Sequence, residues 1–187
     1  MNKNYYKIVF TVLLVQFAGS IYAADISAGK NKASICLGCH GANGVSNNPI
    51  WPSLAGQQSA YLAAQLENFK SAERNNSVMT PMAKGLSNED IQNLAAYFSS
   101  LPAKVVPPST VTAGKDKVAM CAGCHGAKFD GKAQFPKLAG QNAQYLSNQL
   151  HDFKNAKRTS GPMNAIAKGL SDEDITVIAN YLSNQPN

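Results

Sequence analysis

Cys36-Leu37-Gly38-Cys39-His40 decides how this 187-residue chain is read, and it returns as Cys121-Ala122-Gly123-Cys124-His125. C-x-x-C-H is the attachment pattern of a c-type haem. On a helical turn, residues three apart share a face, so the two thiols of each motif can form thioethers to one porphyrin. The next residue, a histidine, then sits under the ring and can offer a nitrogen to the iron. Two other chemistries use paired cysteines. A redox dithiol needs no following histidine. A zinc site made from two C-x-x-C pairs explains neither histidine, nor the long repeat in which each pair sits.

That repeat covers most of the chain. Gly29-Lys30 and Cys36 to Ala42 match Gly114-Lys115 and Cys121 to Ala127 at an offset of 85. One residue is then lost, and from Trp51 the offset is 84. Trp51-Pro52-Ser53-Leu54-Ala55-Gly56-Gln57 matches Phe135-Pro136-Lys137-Leu138-Ala139-Gly140-Gln141, and Ala83-Lys84-Gly85-Leu86-Ser87 matches Ala167-Lys168-Gly169-Leu170-Ser171. Two copies are too few for a solenoid, which needs at least three, so two tandem domains are expected, at 25–101 and 109–187. The stretch 102–108, with Val105-Val106-Pro107-Pro108, reads as a stiff connector. At this size a protein core alone is marginal, and a covalent haem in each copy supplies the missing apolar centre.

The expected class is all-α. A first helix is read from about Ile26 to Cys36, ending in the haem motif. A second is read over Ser59–Lys70, with Tyr61, Leu62, Leu66 and Phe69 on one side. A third starts at Ser87, where Ser87 and Asp90 form a capping-box pattern with aspartate in place of glutamate. Ser171 and Asp174 repeat it in the second copy. No stretch reads as a strand.

A haem iron with one histidine has a second axial position, and its occupant decides the chemistry. The segment before each last helix, read as a loop, holds the candidates. Met79 and Met163 are 84 apart, whereas Met82 pairs with Ile166. Met82 is therefore read as packing, Met120 as core, and Met79 and Met163 as ligands. A thioether is a soft ligand that raises the potential and closes the site. His151 aligns with Glu67 and is read as exposed.

Residues 1–24 read as an export signal: Lys3 and Lys7 precede an apolar run from Ile8 to Ala18, and small residues follow. The other reading is an uncleaved anchor, for which the run is short and Gln16 interrupts it. The formal charge is +6. No like-charge run or arginine stripe gives it a nucleic-acid footprint. From Asp25 to Leu101 five basic residues balance five acidic ones, while from Pro102 onward ten basic face six acidic. Lys128, Lys132 and Lys137 flank the second haem motif, so the C-terminal domain is a candidate docking face for an acidic partner.

Taken with Pro-x-Leu-Ala-Gly-Gln, the paired methionines and the Leu-Ser-x-Glu-Asp helix start, these motifs resemble the dihaem class I cytochromes c of the cytochrome c4 type. The resemblance covers the whole chain after the signal. It implies two pseudo-twofold related class I cytochrome c domains, each wrapped around a covalent haem c. It also implies a bacterial periplasmic electron carrier, able to associate peripherally with the membrane, between a quinol-oxidising bc-type complex and a terminal oxidase or other reductase. Cys36, Cys39, Cys121 and Cys124 would be the thioether residues. His40 and His125 would be proximal ligands, and Met79 and Met163 distal ones. Pro52 and Pro136 would offer their carbonyls to the proximal imidazoles. Electron transfer without bond chemistry is the expected role, not enzyme activity. A cytochrome subunit of a larger dehydrogenase is the alternative. A dihaem peroxidase would need an open iron and acid–base residues beside it, and two of the three histidines are already used.

Overall fold

The computed structural model describes residues 23–186, so the export signal expected over 1–24 falls almost wholly outside the described residues. Nine α-helices and one 3₁₀ turn make up the regular structure among them. The first copy holds α1 (Ile26–Lys32), α2 (Ser34–His40), α3 (Ser59–Lys70), α4 (Met79–Lys84) and α5 (Asn88–Ser100). The second holds a 3₁₀ turn (Asp116–Cys121), then α6 (Ala122–His125), α7 (Ala143–Lys154), α8 (Gly161–Lys168) and α9 (Asp172–Ser183). The two copies fold as tandem all-helical domains with no β-strand among the described residues; a single isolated bridge joins Lys132 and Phe135.

Local chemistry accounts for the helix ends. Asp25 caps α1 by accepting from the backbone N–H groups of Ser27 and Ala28 at 2.7 and 3.1 Å. Both expected capping boxes form. Ser87 Oγ accepts from Asp90 N at 3.0 Å while Asp90 returns a 2.9 Å bond to Ser87 N, and Ser171 and Asp174 do the same at 3.0 and 2.9 Å. Each box satisfies two N–H groups that a helix start leaves without partners.

The last helix of each copy carries the core. Ile91, Leu94, Ala95 and Phe98 of α5 pack with Leu62 and Phe69 of α3, and Ile178, Ala179 and Leu182 of α9 pack with Leu146 of α7. Burying one such side chain stabilises by roughly 1.5–3 kcal/mol. The first helix crosses the last at a glycine. A Cβ at Gly29 would overlap the Asn93 carbonyl oxygen, and one at Gly114 would overlap the Val177 carbonyl oxygen. Gly114 also has φ +94°, which favours glycine. The repeated Gly-Lys ahead of each haem motif is this crossing point.

Three expectations need correction. The first helix bends at Ala33, where ψ is −14°, away from the helical −42°, and splits into α1 and α2. The supposed methionine loops are the short helices α4 and α8. The Asn76 side chain starts α4 by accepting from Val78 N and Met79 N at 3.0 and 2.9 Å, and Pro162 sits in the first turn of α8, where its missing N–H costs nothing. Met82 and Met120 were expected to be packed, yet they are 40% and 63% exposed.

The copies meet through reciprocal amide bonds. The Gln57 side chain accepts from Lys137 N at 2.7 Å and donates to Lys137 O at 3.0 Å. Gln141 does the same to Ser53, at 2.9 Å in both directions. Ser53 and Lys137 are equivalent positions, as are Gln57 and Gln141, so the seam has pseudo-twofold symmetry. Both glutamines are buried, and each is satisfied by the other copy's backbone, as buried amides must be.

Candidate haem sites

The helix α2 brings Cys36, Cys39 and His40 to one side of the first copy, and the 3₁₀ turn with α6 brings Cys121, Cys124 and His125 to the matching side of the second. All six line one cavity of about 1280 Å³ that runs across the seam. That exceeds the ~300–1,000 Å³ typical of a single small-ligand pocket. Its walls include Trp51, Leu54 and Phe69 from one copy and Phe135, Leu138 and Phe153 from the other. The Phe135 ring meets the His125 imidazole edge-on at 6.3 Å between centroids.

His40 and His125, the expected proximal ligands, are both buried, at 7% and 6% exposure. His40 Nδ1 lies 2.8 Å from Pro52 O, and His125 Nδ1 lies 2.8 Å from Pro136 O. A carbonyl oxygen only accepts, so Nδ1 carries the proton in each ring and Nε2 keeps its lone pair free for a metal. Burial pushes both imidazoles below their usual pKa, with the proline carbonyl working the other way. The rings are thereby held neutral, the form that ligates. The residue lost before Phe135 leaves this bond unchanged, because the loop absorbs it between Gly126 and Phe135.

The four cysteines are not joined in disulfides. Burial, and then the neighbouring cysteine, raises the Cys36 thiol pKa; burial is also the main cause of the rise at Cys121. These are poor redox thiolates. No group of three or more His, Cys, Asp or Glu side chains converges on a metal site among the described residues, so the zinc alternative lacks a ligand set. A large apolar cavity, two thiols on one helical face and a neutral imidazole with a free Nε2 do fit a thioether-bound haem. Met79 and Met163 line the same cavity, and so do the exposed Met82 and Met120. His151, read from the sequence as exposed, is instead half-buried at the cavity edge, 3.9 Å from Asp172.

The sequence reading missed a cluster on the seam. Arg74 Nη1 donates to Gln65 Oε1 at 2.8 Å, and its Nη2 reaches Tyr145 Oη at 3.2 Å and Gln149 Oε1 at 2.6 Å. Arg158 mirrors it, donating to Gln149 Oε1 at 2.8 Å, Tyr61 Oη at 2.9 Å and Gln65 Oε1 at 2.8 Å. All six residues line the cavity. The signal was present, since arginine, tyrosine and glutamine each recur at the offset of 84.

This geometry defines a c-type haem protein with two attachment sites facing one interior. A family model described as "Cytochrome c" matches residues 26–102 and again 111–186. The chain is 37% identical to cytochrome c4 of Pseudomonas aeruginosa, over 97% of this chain and 98% of that one. It is 34% identical to a protein of Thiomonas intermedia named "Thiosulfate dehydrogenase electron acceptor", over 94% of this chain and 91% of that one. Among solved structures, reduced recombinant cytochrome c4 from Pseudomonas stutzeri superposes with a TM-score of 0.81 at 34% identity, covering 87% of this chain and 100% of that one. The chain belongs to the cytochrome c family, in its dihaem cytochrome c4 branch. It is an electron-transfer cytochrome with two covalent haem c groups, one at Cys36/Cys39 and one at Cys121/Cys124.

Proposed function

We propose that the chain is a periplasmic carrier that passes single electrons from a quinol-oxidising bc-type complex to a terminal oxidase or similar acceptor, each iron being held by His40 and Met79 or by His125 and Met163. One observation carries this reading: His40 with Met79, and His125 with Met163, line the same largely apolar cavity as the two cysteine pairs. Haem iron supplies the one-electron chemistry. The protein's own part is positional. Pro52 and Pro136 fix the imidazole planes and make them more basic. Met79 and Met163 favour the reduced iron and keep small ligands out. Aliphatic and aromatic walls exclude water. The chain is divided as an export signal (1–24), a first domain (25–101), a connector (102–108) and a second domain (109–187). No helix among the described residues is long and apolar enough to cross a membrane.

A carbon monoxide titration of the dithionite-reduced holoprotein tests the ligand set. The expected result is an unchanged visible spectrum. A shift in half or more of the haem at neutral pH would show an open iron and overturn the carrier reading in favour of an enzyme or a sensor.

Docking is proposed to involve the basic side of the second domain. Lys128 and Lys132 are exposed there. Lys137 is not free to join them: its backbone is tied into the seam, and desolvation pulls its ammonium pKa down, with Asp130 working the other way. Turnover with an acidic redox partner should fall as ionic strength rises, and a flat dependence would remove this face from the account. A second acceptor role has specific support. The Thiomonas relative's name points to service as the electron acceptor of a thiosulfate-oxidising enzyme, and mixing the reduced enzyme with the oxidised chain would show it as haem reduction.

A further inference from the structure

The arginine cluster has a property that haem attachment and axial ligation do not explain. Two guanidinium groups are held together at the seam, and each bonds to the same two glutamine oxygens, Gln65 Oε1 and Gln149 Oε1. Every side-chain partner of the pair is neutral. No carboxylate lies within ion-pair distance of either arginine among the described residues. Arg158 is only 8% exposed. The planes are fixed by aromatic rings of their own copies, Arg74 over Phe69 at 4.5 Å and Arg158 over Phe153 at 4.6 Å. Burying a charge without a counter-ion is costly, and burying two like charges side by side more so. Conversely, the two cations hold the Tyr145 phenol below its usual pKa in spite of its burial.

The protein's own carboxylate at this place, Asp152, acts on Arg74 but reaches the cluster only through Gln149 Nε2, at 3.5 Å, so no carboxylate of the described residues is bound directly to either guanidinium. A haem c held in the cavity that both arginines line would bring its carboxylate groups with it. Each guanidinium has five N–H donors and spends three on the cluster, so donors remain for a carboxylate, the anion that arginine matches best. We propose that Arg74 and Arg158 are shared counter-cations for the carboxylate groups of both haems, placed on the seam so that each charge sets the reduction potential of both irons. The crossed bonding is the reason for "both": Arg74 belongs to the first domain but bonds to Tyr145 and Gln149 of the second, and Arg158 reaches back to Tyr61 and Gln65. A cation near an iron favours its ferrous form, which carries one positive charge fewer. The two haems are thereby linked electrostatically through a device made of protein. The inference rests on the presence of two haems and is independent of what fills the sixth positions.

Potentiometric titration of the dihaem holoprotein, resolved into two midpoints, tests it. Arg74→Gln should lower both midpoints, each by about tenfold in the reduction equilibrium, or 59 mV for one electron. Arg158→Gln should lower the same two. Arg74→Lys and Arg158→Lys keep the charge and should hold both midpoints within about threefold of wild type. Asn142→Ala cuts seam bonds to Trp51 O and Asn48 O without touching a charge, and should leave both in place. The proposal is overturned if only the haem in the arginine's own domain responds, if Asn142→Ala matches the glutamine variants, or if the lysine variants fall tenfold. The last comparison decides alone should the glutamine variants lose haem. A cluster that serves a free anion instead would make wild-type midpoints respond to inorganic phosphate at constant ionic strength, which would also overturn it. Carbon monoxide binding would sink the carrier reading and leave these results untouched, so the two failures are distinguishable.

Discussion

The two domains do the same job with different local solutions, and the differences show which parts of the repeat are constrained. In the first copy, Asp25 caps a true α-helix before the haem motif; in the second, the equivalent Thr110-Val111-Thr112 is β-branched and uncapped, and only a 3₁₀ turn forms. β-Branched side chains lose freedom in a helix, so the weaker element follows from composition. Beside the haem motif, Gly44 (φ +71°) accepts from Leu54 N and Ala55 N, while Phe129 (φ +57°) accepts from the equivalent Leu138 N and Ala139 N. A Cβ at Gly44 would press on Phe98 and Leu101. The second copy has Leu182 where the first has Phe98, and the Phe129 ring fills that room and meets Tyr181 edge-on. What does not vary is the imidazole–proline bond, 2.8 Å in both copies. The helix leading into the motif differs between the copies; the imidazole–proline geometry is the same in both.

The greatest contrast between the copies should come from the methionines. Met79→Ala is expected to let carbon monoxide bind one haem of the two, and Met163→Ala the other, read as half-amplitude spectral shifts. If either variant opens both haems, the domains are not independent at the iron. Phe129→Ala should cost about 3–5 kcal/mol, the usual range for deleting a buried ring, measured by denaturant unfolding followed at the haem band. A loss below about 1 kcal/mol would mean that the left-handed φ had been cancelling the gain from packing. Next come the crossing glycines. Gly29→Ala should cost about 1–3 kcal/mol by overpacking, and Gly114→Ala about 1–2 kcal/mol more, because its φ also disfavours a side chain. Equal losses would show that the 3₁₀ turn moves aside more easily than α1 does.

The smallest contrast concerns acid. The Lys117 ammonium first, and then Ser171, hold Asp174 down at about 2. At Asp90 the backbone of Ser87 leads and Lys32 assists, and the pKa is lowered too. A carboxylate depressed in the folded state stabilises above its unfolded pKa and loses that contribution as pH falls through the folded one. Both capping boxes should therefore persist near pH 4, and the Ser171 box should open only near pH 2. The amide shifts of Ser87 and Ser171 during acid titration check this. A Ser171 transition at pH 4 would show that the Lys117 bond contributes nothing.

Much of this was legible in the sequence because it is local. The span of α3 matches the expected Ser59–Lys70, and both capping boxes fall where serine precedes aspartate by three. The proline carbonyls were implied by the family resemblance, and the geometry supports them. The bend at Ala33 was not legible, since alanine is the best helix former and what distinguishes this one is its complete burial in the first core. The helices α4 and α8 are too short to show a period. Gln57 and Gln141 were visible as a matched pair, but their partners lie some eighty residues away in the other copy. Met120 was misread because adjacency to a cysteine says nothing of which way a side chain faces.

The paired glutamines have one more consequence. A contact in which each half offers the same residues to the other is the contact of a symmetric dimer, and here a connector joins the halves. Tethering turns a bimolecular association into an intramolecular one, at effective concentrations in the millimolar range for short linkers. Such a seam can remain polar and modest and still stay closed. A symmetric dimer must also accept every substitution on both sides at once. A fused one need not, so Asn142 can bond to three carbonyls of the first domain while its counterpart Gln58 finds one in the second. The connector therefore gives the two haems the freedom to become unequal.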